Sequence, residues 1–123
     1  MAAVTTKRIA DCDYYKGPNA IAGIKFRTAG RELGITAWGM NVLDIEAGCT
    51  GYPEHDHIKD GQEEVYVVLE GSGTLLAPDG EHALEAGTLV RVSHDTKRKI
   101  VPGKGGIRVL AIGGTPGKAY GAL

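Results

Sequence analysis

The stretch His55-Asp56-His57-Ile58-Lys59-Asp60-Gly61-Gln62-Glu63-Glu64-Val65-Tyr66-Val67-Val68-Leu69-Glu70-Gly71 decides how the chain is read. Metal-ligand chemistry and strand periodicity coincide in it. His55 and His57 are two residues apart, and along an extended strand that spacing puts both imidazoles on one face. Glu64 begins the next apolar run and shares a face with Tyr66 and Val68, so a turn at Asp60-Gly61 folds it back towards the histidine pair. Two neutral imidazoles and a carboxylate make a mixed nitrogen and oxygen set. It suits one divalent transition metal, iron, manganese, nickel, zinc or copper, and suits calcium poorly. Gln62 lies on the same strand face and is the substitute ligand.

These residues resemble the first motif of the cupin superfamily, which has a His-x-His pair, a glutamate, and then six residues leading to a glycine. Here Glu64 is followed by six residues and Gly71, which selects Glu64 over Glu63. The run between His57 and Glu64 is longer than is usual in the family, implying a longer turn through Lys59, Asp60 and Gly61. Gly87 to Arg98 is similar to the family's second motif in length and in its leading glycine. Its turn prolines are replaced by Ser93 and His94, and Arg98 stands where the family has its last metal-ligating histidine. A guanidinium has donors only and cannot ligate a metal.

The resemblance spans residues 35 to 112 and implies an all-β fold, a double-stranded β-helix or jelly-roll cupin barrel with a small-molecule pocket inside it. Two functions follow from it. One is a metal-dependent enzyme of oxygenase, isomerase or lyase type, with His55, His57 and Glu64 holding the ion while Arg98 or Tyr66 orients a small, anionic substrate. The other is a metal-free binding or sensing cupin without catalysis, in which Arg98 pairs with Glu64 and grips an anion by a bidentate contact. His94 can supply a fourth ligand only if its turn is remodelled.

The rest of the chain is consistent with one domain. At 123 residues and 42% hydrophobic content it can support a core of its own. A formal charge of -1 gives no electrostatic reason to expect nucleic acid as a partner, and no apolar run is long enough for a membrane helix. Lys7, Arg8, Asp11 and Asp13 interrupt any secretory-type apolar run, so a cytoplasmic location is the default. Cys12 and Cys49 are expected to be ordinary thiols. We find no local motif for a serine, cysteine or threonine nucleophile and no phosphate-binding glycine loop before a helix.

In chain order, residues 1–20 read as an N-terminal arm, 21–115 as the barrel domain and 116–123 as a C-terminal tail. Nineteen glycines punctuate short β-branched runs, as turns in an all-β domain require. Strands are expected at Ile24–Arg27, Ile35–Glu46, Glu63–Leu69, Thr74–Leu76, His82–Leu84, Leu89–Val92, Lys97–Val101 and Ile107–Ile112. Turns are expected at Gly71-Ser72-Gly73, at Pro78-Asp79-Gly80 and at Glu85-Ala86-Gly87, with Ala29 to Gly34 a loop and no amphipathic helix of any length. Trp38 and Tyr66 are expected in the core, and Tyr66 also beside the pocket; His82 and His94 are expected at the surface. Several strands are apolar on both faces, whereas a small barrel hides only its inner face, so a homodimer is the expected assembly.

Overall fold

The computed structural model describes residues 3–117, so most of the expected C-terminal tail lies outside the described residues. The chain runs through β1 (Ile24–Arg27), α1 (Ala29–Leu33), β2 (Gly39–Ile45), β3 (Glu63–Ala77), β4 (Gly80–Glu85), β5 (Leu89–Val92) and β6 (Lys99–Gly114). The sheet order is β1-β2-β6-β3-β4, with β5 added to β3, and every pairing is antiparallel. The all-β expectation holds. The hairpin at Pro78-Asp79 closes as read, with Ala77 paired to Gly80.

One expected turn is absent. Gly71-Ser72-Gly73 does not reverse the chain; β3 continues through it to Ala77, and β6 likewise joins the two strands expected at Lys97–Val101 and Ile107–Ile112. Gly71 (φ 77°) and Gly106 (φ 79°) adopt left-handed backbone at the crossing, and a Cβ on Gly71 would collide with the Gly106 carbonyl oxygen. The register shifts on either side of it, between Val68 and Glu70 and between Gly71 and Gly73. Glycine here bends two paired strands together.

The bend divides each long strand into two working halves. The first half of β3 lies between β5 and the C-terminal half of β6; its second half lies between β4 and the N-terminal half of β6. Tyr66, Val68 and Val109 from one half meet Leu75, Leu84 and Ile100 from the other in a single core. Alternation along β3 aims Glu64, Tyr66 and Val68 to one side, and this core fixes that side as the interior.

The N-terminal arm folds back on the domain. Tyr14 bridges Arg27, and the Tyr15 amide donates to the Phe26 carbonyl at 2.8 Å. Cys12 and Ala29 cover Val42 on the outer face of β2, making a second small core. Part of the apolar outer face expected to need a partner subunit is therefore covered by the chain itself. Ala29 lies in α1, which corrects the expectation of a loop; a single helical turn is too short to show a periodicity. That turn also delays β2 until Gly39, and leaves Trp38 outside both cores.

Candidate functional site

His55 and His57 lie outside the strands and are pinned by the segment before β6. His55 exchanges both backbone hydrogen bonds with Arg98, at 3.1 and 2.9 Å, and the His57 amide donates to the His94 carbonyl at 2.8 Å. The two rings come to a centroid distance of 5.2 Å in an edge-to-face arrangement. Proximity therefore comes from bridging to a distant segment.

Each ring is oriented by its Nδ1. In His55 this atom is 3.0 Å from the Pro53 carbonyl oxygen, which can only accept, so Nδ1 carries the proton. In His57 it is 3.1 Å from an oxygen of Asp60. The Asp60 carboxyl is held below its ordinary pKa by the Gln62 amide and then by His57, so it too is an acceptor. Both Nε2 atoms are thereby left for other partners. A histidine whose second nitrogen is fixed in this way is arranged as metal-ligating histidines are.

Glu64 completes the group. Its Oε1 lies 3.0 Å from His57 Nε2 and accepts a 2.8 Å hydrogen bond from the Tyr66 hydroxyl. One ligand atom each from His55, His57 and Glu64 falls within 4.8 Å of the others. This nitrogen and oxygen set fits a divalent transition metal. Among the described residues, no other cluster of histidine, cysteine, aspartate and glutamate does so. His82 pairs with Asp79 at the β3–β4 turn and His94 is exposed; both stay outside the group.

Tyr66 is buried, and burial, followed by the neighbouring Tyr52 and Glu64, pushes its hydroxyl pKa upward. Tyr52, whose oxygen is 3.4 Å from that of Tyr66, is pushed up to about 12, chiefly by burial. Both phenols are therefore neutral donors at ordinary pH. Since Tyr66 spends its proton on Glu64, Tyr52 is left to donate to Tyr66, and its own oxygen remains free to accept.

A cavity of about 580 Å³ runs into the barrel beside these groups. His55, His57, Gln62, Glu64, Tyr52 and Tyr66 line one side of it, and Asn41, Thr28 and Arg31 also contribute to its wall. Arg98 does not line it. Its side chain is 0% exposed, with Nη2 donating to the Ser93 carbonyl at 3.3 Å and lying 3.7 Å from Glu64. Its Nε has no hydrogen-bond partner among the described residues. Arg98 thus stands beside Glu64, the partner expected for it in the metal-free reading, and is not among the described residues that line the cavity.

Reading by sequence missed Tyr52, Asn41, Thr28 and Arg31. Asn41 carried a signal, as a carboxamide on the face of β2 that also carries Leu43 and Ile45. Arg31 carried none, because its position depends on α1.

No protein-family model matches the sequence, and no curated protein sequence matches it. Solved structures do resemble it. A cupin protein from Bacteroides fragilis matches with a TM-score of 0.68 at 25% identity, over 89% of this chain and 91% of its own. A sugar phosphate isomerase of the cupin superfamily from Silicibacter pomeroyi gives 0.76 at 19% identity, over 89% and 75%. The polyketide cyclase of Streptomyces resistomycificus gives 0.72 at 17% identity, over 89% and 78%. The likeness to the Bacteroides cupin protein over nearly the whole of both chains gives this chain the fold of a small cupin domain.

Proposed function

We propose that the protein is a metal-dependent enzyme that holds one divalent transition metal through His55, His57 and Glu64 and acts on a small molecule in the barrel cavity. The observation that carries this reading is the disposition of the two rings. With each Nδ1 committed to an acceptor, His57 Nε2 and Glu64 Oε1 bring two electron-rich atoms to 3.0 Å, and only a cation, a proton or a metal ion, relieves that approach.

A bound ion supplies Lewis-acid polarisation of a carbonyl or hydroxyl oxygen. The chain's own groups hold and orient. Tyr66 fixes the Glu64 carboxylate, Asp60 and Pro53 fix the rings, and the free oxygen of Tyr52 accepts a hydroxyl of the substrate. Gln62, at the same wall, is the carboxamide that substitutes for or supplements a ligand. Isomerisation and cyclisation, the activities named for the Silicibacter and Streptomyces neighbours, need no external oxidant, and we favour non-redox carbonyl chemistry of isomerase or lyase type here.

The burial of Arg98 beside Glu64 favours a second reading, a metal-free cupin that binds or senses a small anion, because a fixed positive charge there opposes a cation. Elemental analysis of protein purified without chelator separates the two. Metal close to one ion per chain, lost in His57→Ala, supports the enzyme; low content with no uptake on titration with Mn²⁺, Fe²⁺, Ni²⁺, Zn²⁺ or Cu²⁺ overturns it. We further propose a homodimer formed through the outer face of β3 and β5, where Leu89 is exposed opposite Val67; light scattering reads the mass.

A further inference from the structure

The wall of the cavity supplied by α1 and β2 has a chemistry that the three ligands do not explain. Arg31 is the one lysine or arginine among the described residues that line this cavity. It is exposed, and its guanidinium makes neither a hydrogen bond nor an ion pair with any described residue. Arginines on this chain commonly find a carboxylate: Arg27 and Arg108 both pair with Asp44, and Arg91 pairs with Glu63. Arg31 instead stands where, among the described residues, no carboxylate but Glu64 lines the cavity.

Its placement is built into the backbone. Gly30 packs against β2 so closely that a Cβ there would come within 2.9 Å of the Met40 carbonyl oxygen. The close approach seats α1, which carries Arg31, on β2, the strand that carries Asn41. Both residues line the barrel cavity, and both also line an adjoining groove of about 400 Å³ that continues past Ile35 and Trp38. Asn41 faces the interior alongside Leu43, and its carboxamide also lacks a hydrogen bond to any described residue. A planar cation and a carboxamide donor, neither bonded through its side chain to a described residue, thus line the same two cavities. Such a fork of N–H donors matches the geometry of an oxyanion.

We propose that Arg31 and Asn41 form a subsite for the anionic group, a carboxylate or a phosphate ester, of a small oxygenated substrate whose other end reaches His55, His57 and Glu64. The proposal rests on the enzyme reading for the role of that second end, and not for the anion site itself. It assigns the anion to a residue far along the chain from Arg98. The ligand then spans the cavity between a cation on α1 and the ligand set near the start of β3, and the groove beyond Arg31 leaves room for the anionic group to vary in size.

The test is calorimetric titration of the metal-free wild-type protein with inorganic phosphate and, separately, with malonate, repeated on Arg31→Gln, Arg31→Lys and Asn41→Ala. At least one of the two anions binds the wild type, and which one binds identifies phosphate ester or carboxylate as the recognised group. Arg31→Gln weakens that binding by about tenfold or more, Arg31→Lys retains part of it, and Asn41→Ala gives a smaller loss. The thermal midpoint of Arg31→Gln stays that of the wild type, because the Arg31 side chain bonds to no described residue. Failure of both anions to bind, or equal binding by Arg31→Gln, overturns the subsite. Mn²⁺ titration of the same proteins keeps the two readings apart: Arg31-dependent anion binding without metal uptake leaves the subsite standing and removes the metalloenzyme, and metal uptake with anion binding indifferent to Arg31 does the reverse.

Discussion

Arg98 Nη2 stands 3.7 Å from Glu64 Oε1, so a fully buried guanidinium backs a carboxylate that is also within 3.0 Å of His57 Nε2. The cation balances the negative charge that a metal would otherwise use in full. Replacing Arg98 with histidine removes a permanent charge and adds a candidate ligand. Metal affinity in Arg98→His is expected to rise by about tenfold or more, measured by competition with a chromophoric chelator. Unchanged affinity would show that Arg98 does not act on the ligand set.

Tyr66→Phe deletes one donor to Glu64 and leaves the ring in place. The carboxylate loses its 2.8 Å hydrogen bond, and Tyr52 loses its acceptor. Stability is expected to fall by about 1–2 kcal/mol in urea unfolding, and metal affinity to fall by about tenfold. A variant with wild-type affinity would mean that Glu64 is held by its strand alone.

Asp44 joins three strands, accepting from Arg27 on β1 and Arg108 on β6. Burial by itself raises its pKa, but the hydrogen bonds from Arg108 and Arg27 outweigh that and hold the carboxyl below the ordinary value of 3.8. A lowered folded-state pKa contributes stability that is present above the unfolded value and is lost as pH falls through the folded one. Thermal midpoints are therefore expected to drop on acidification below about pH 4, with Asp44→Asn showing a shallower drop and costing about 2 kcal/mol at neutral pH. An identical acid limb in both proteins would assign the loss to other carboxylates.

Gly71→Ala tests the bend. Its positive φ disfavours a side chain, and the new methyl meets the Gly106 carbonyl oxygen. The expected cost is about 2–4 kcal/mol, seen as a fall in the chemical unfolding midpoint. A neutral result would mean that β3 and β6 can separate at this crossing without penalty.

The parts of the site that were legible in the sequence are those fixed by short spacing. His55, His57, Glu64 and Gly71 lie on one local pattern, and β1, β5 and the Pro78-Asp79 turn depend on neighbours in sequence. What was not legible depends on segments brought together from afar. Gly71 read as a turn residue because glycine is common to turns and bends alike; the difference lies in the strand that passes opposite. Arg98 was placed by motif length, but its burial behind Glu64 follows from its backbone bridge to His55. Arg31 reaches the cavity through a single turn of helix that leaves no periodic trace, and Tyr52 sits in a glycine- and proline-containing loop that gives no sign of facing inward.

The continuous pairing of β3 with β6 also sets an order of events during folding. Glu64 pairs with Gly113, and His55 with Arg98, so partners synthesised late secure ligands synthesised early. A nascent chain that has emerged only as far as β5 contains all three ligands and has no backbone to hold His55 and His57 beside Glu64. Closing such long loops is slow, so the proposed ligand set can take up a metal only once the last strand has arrived, and not when the first residues able to bind emerge.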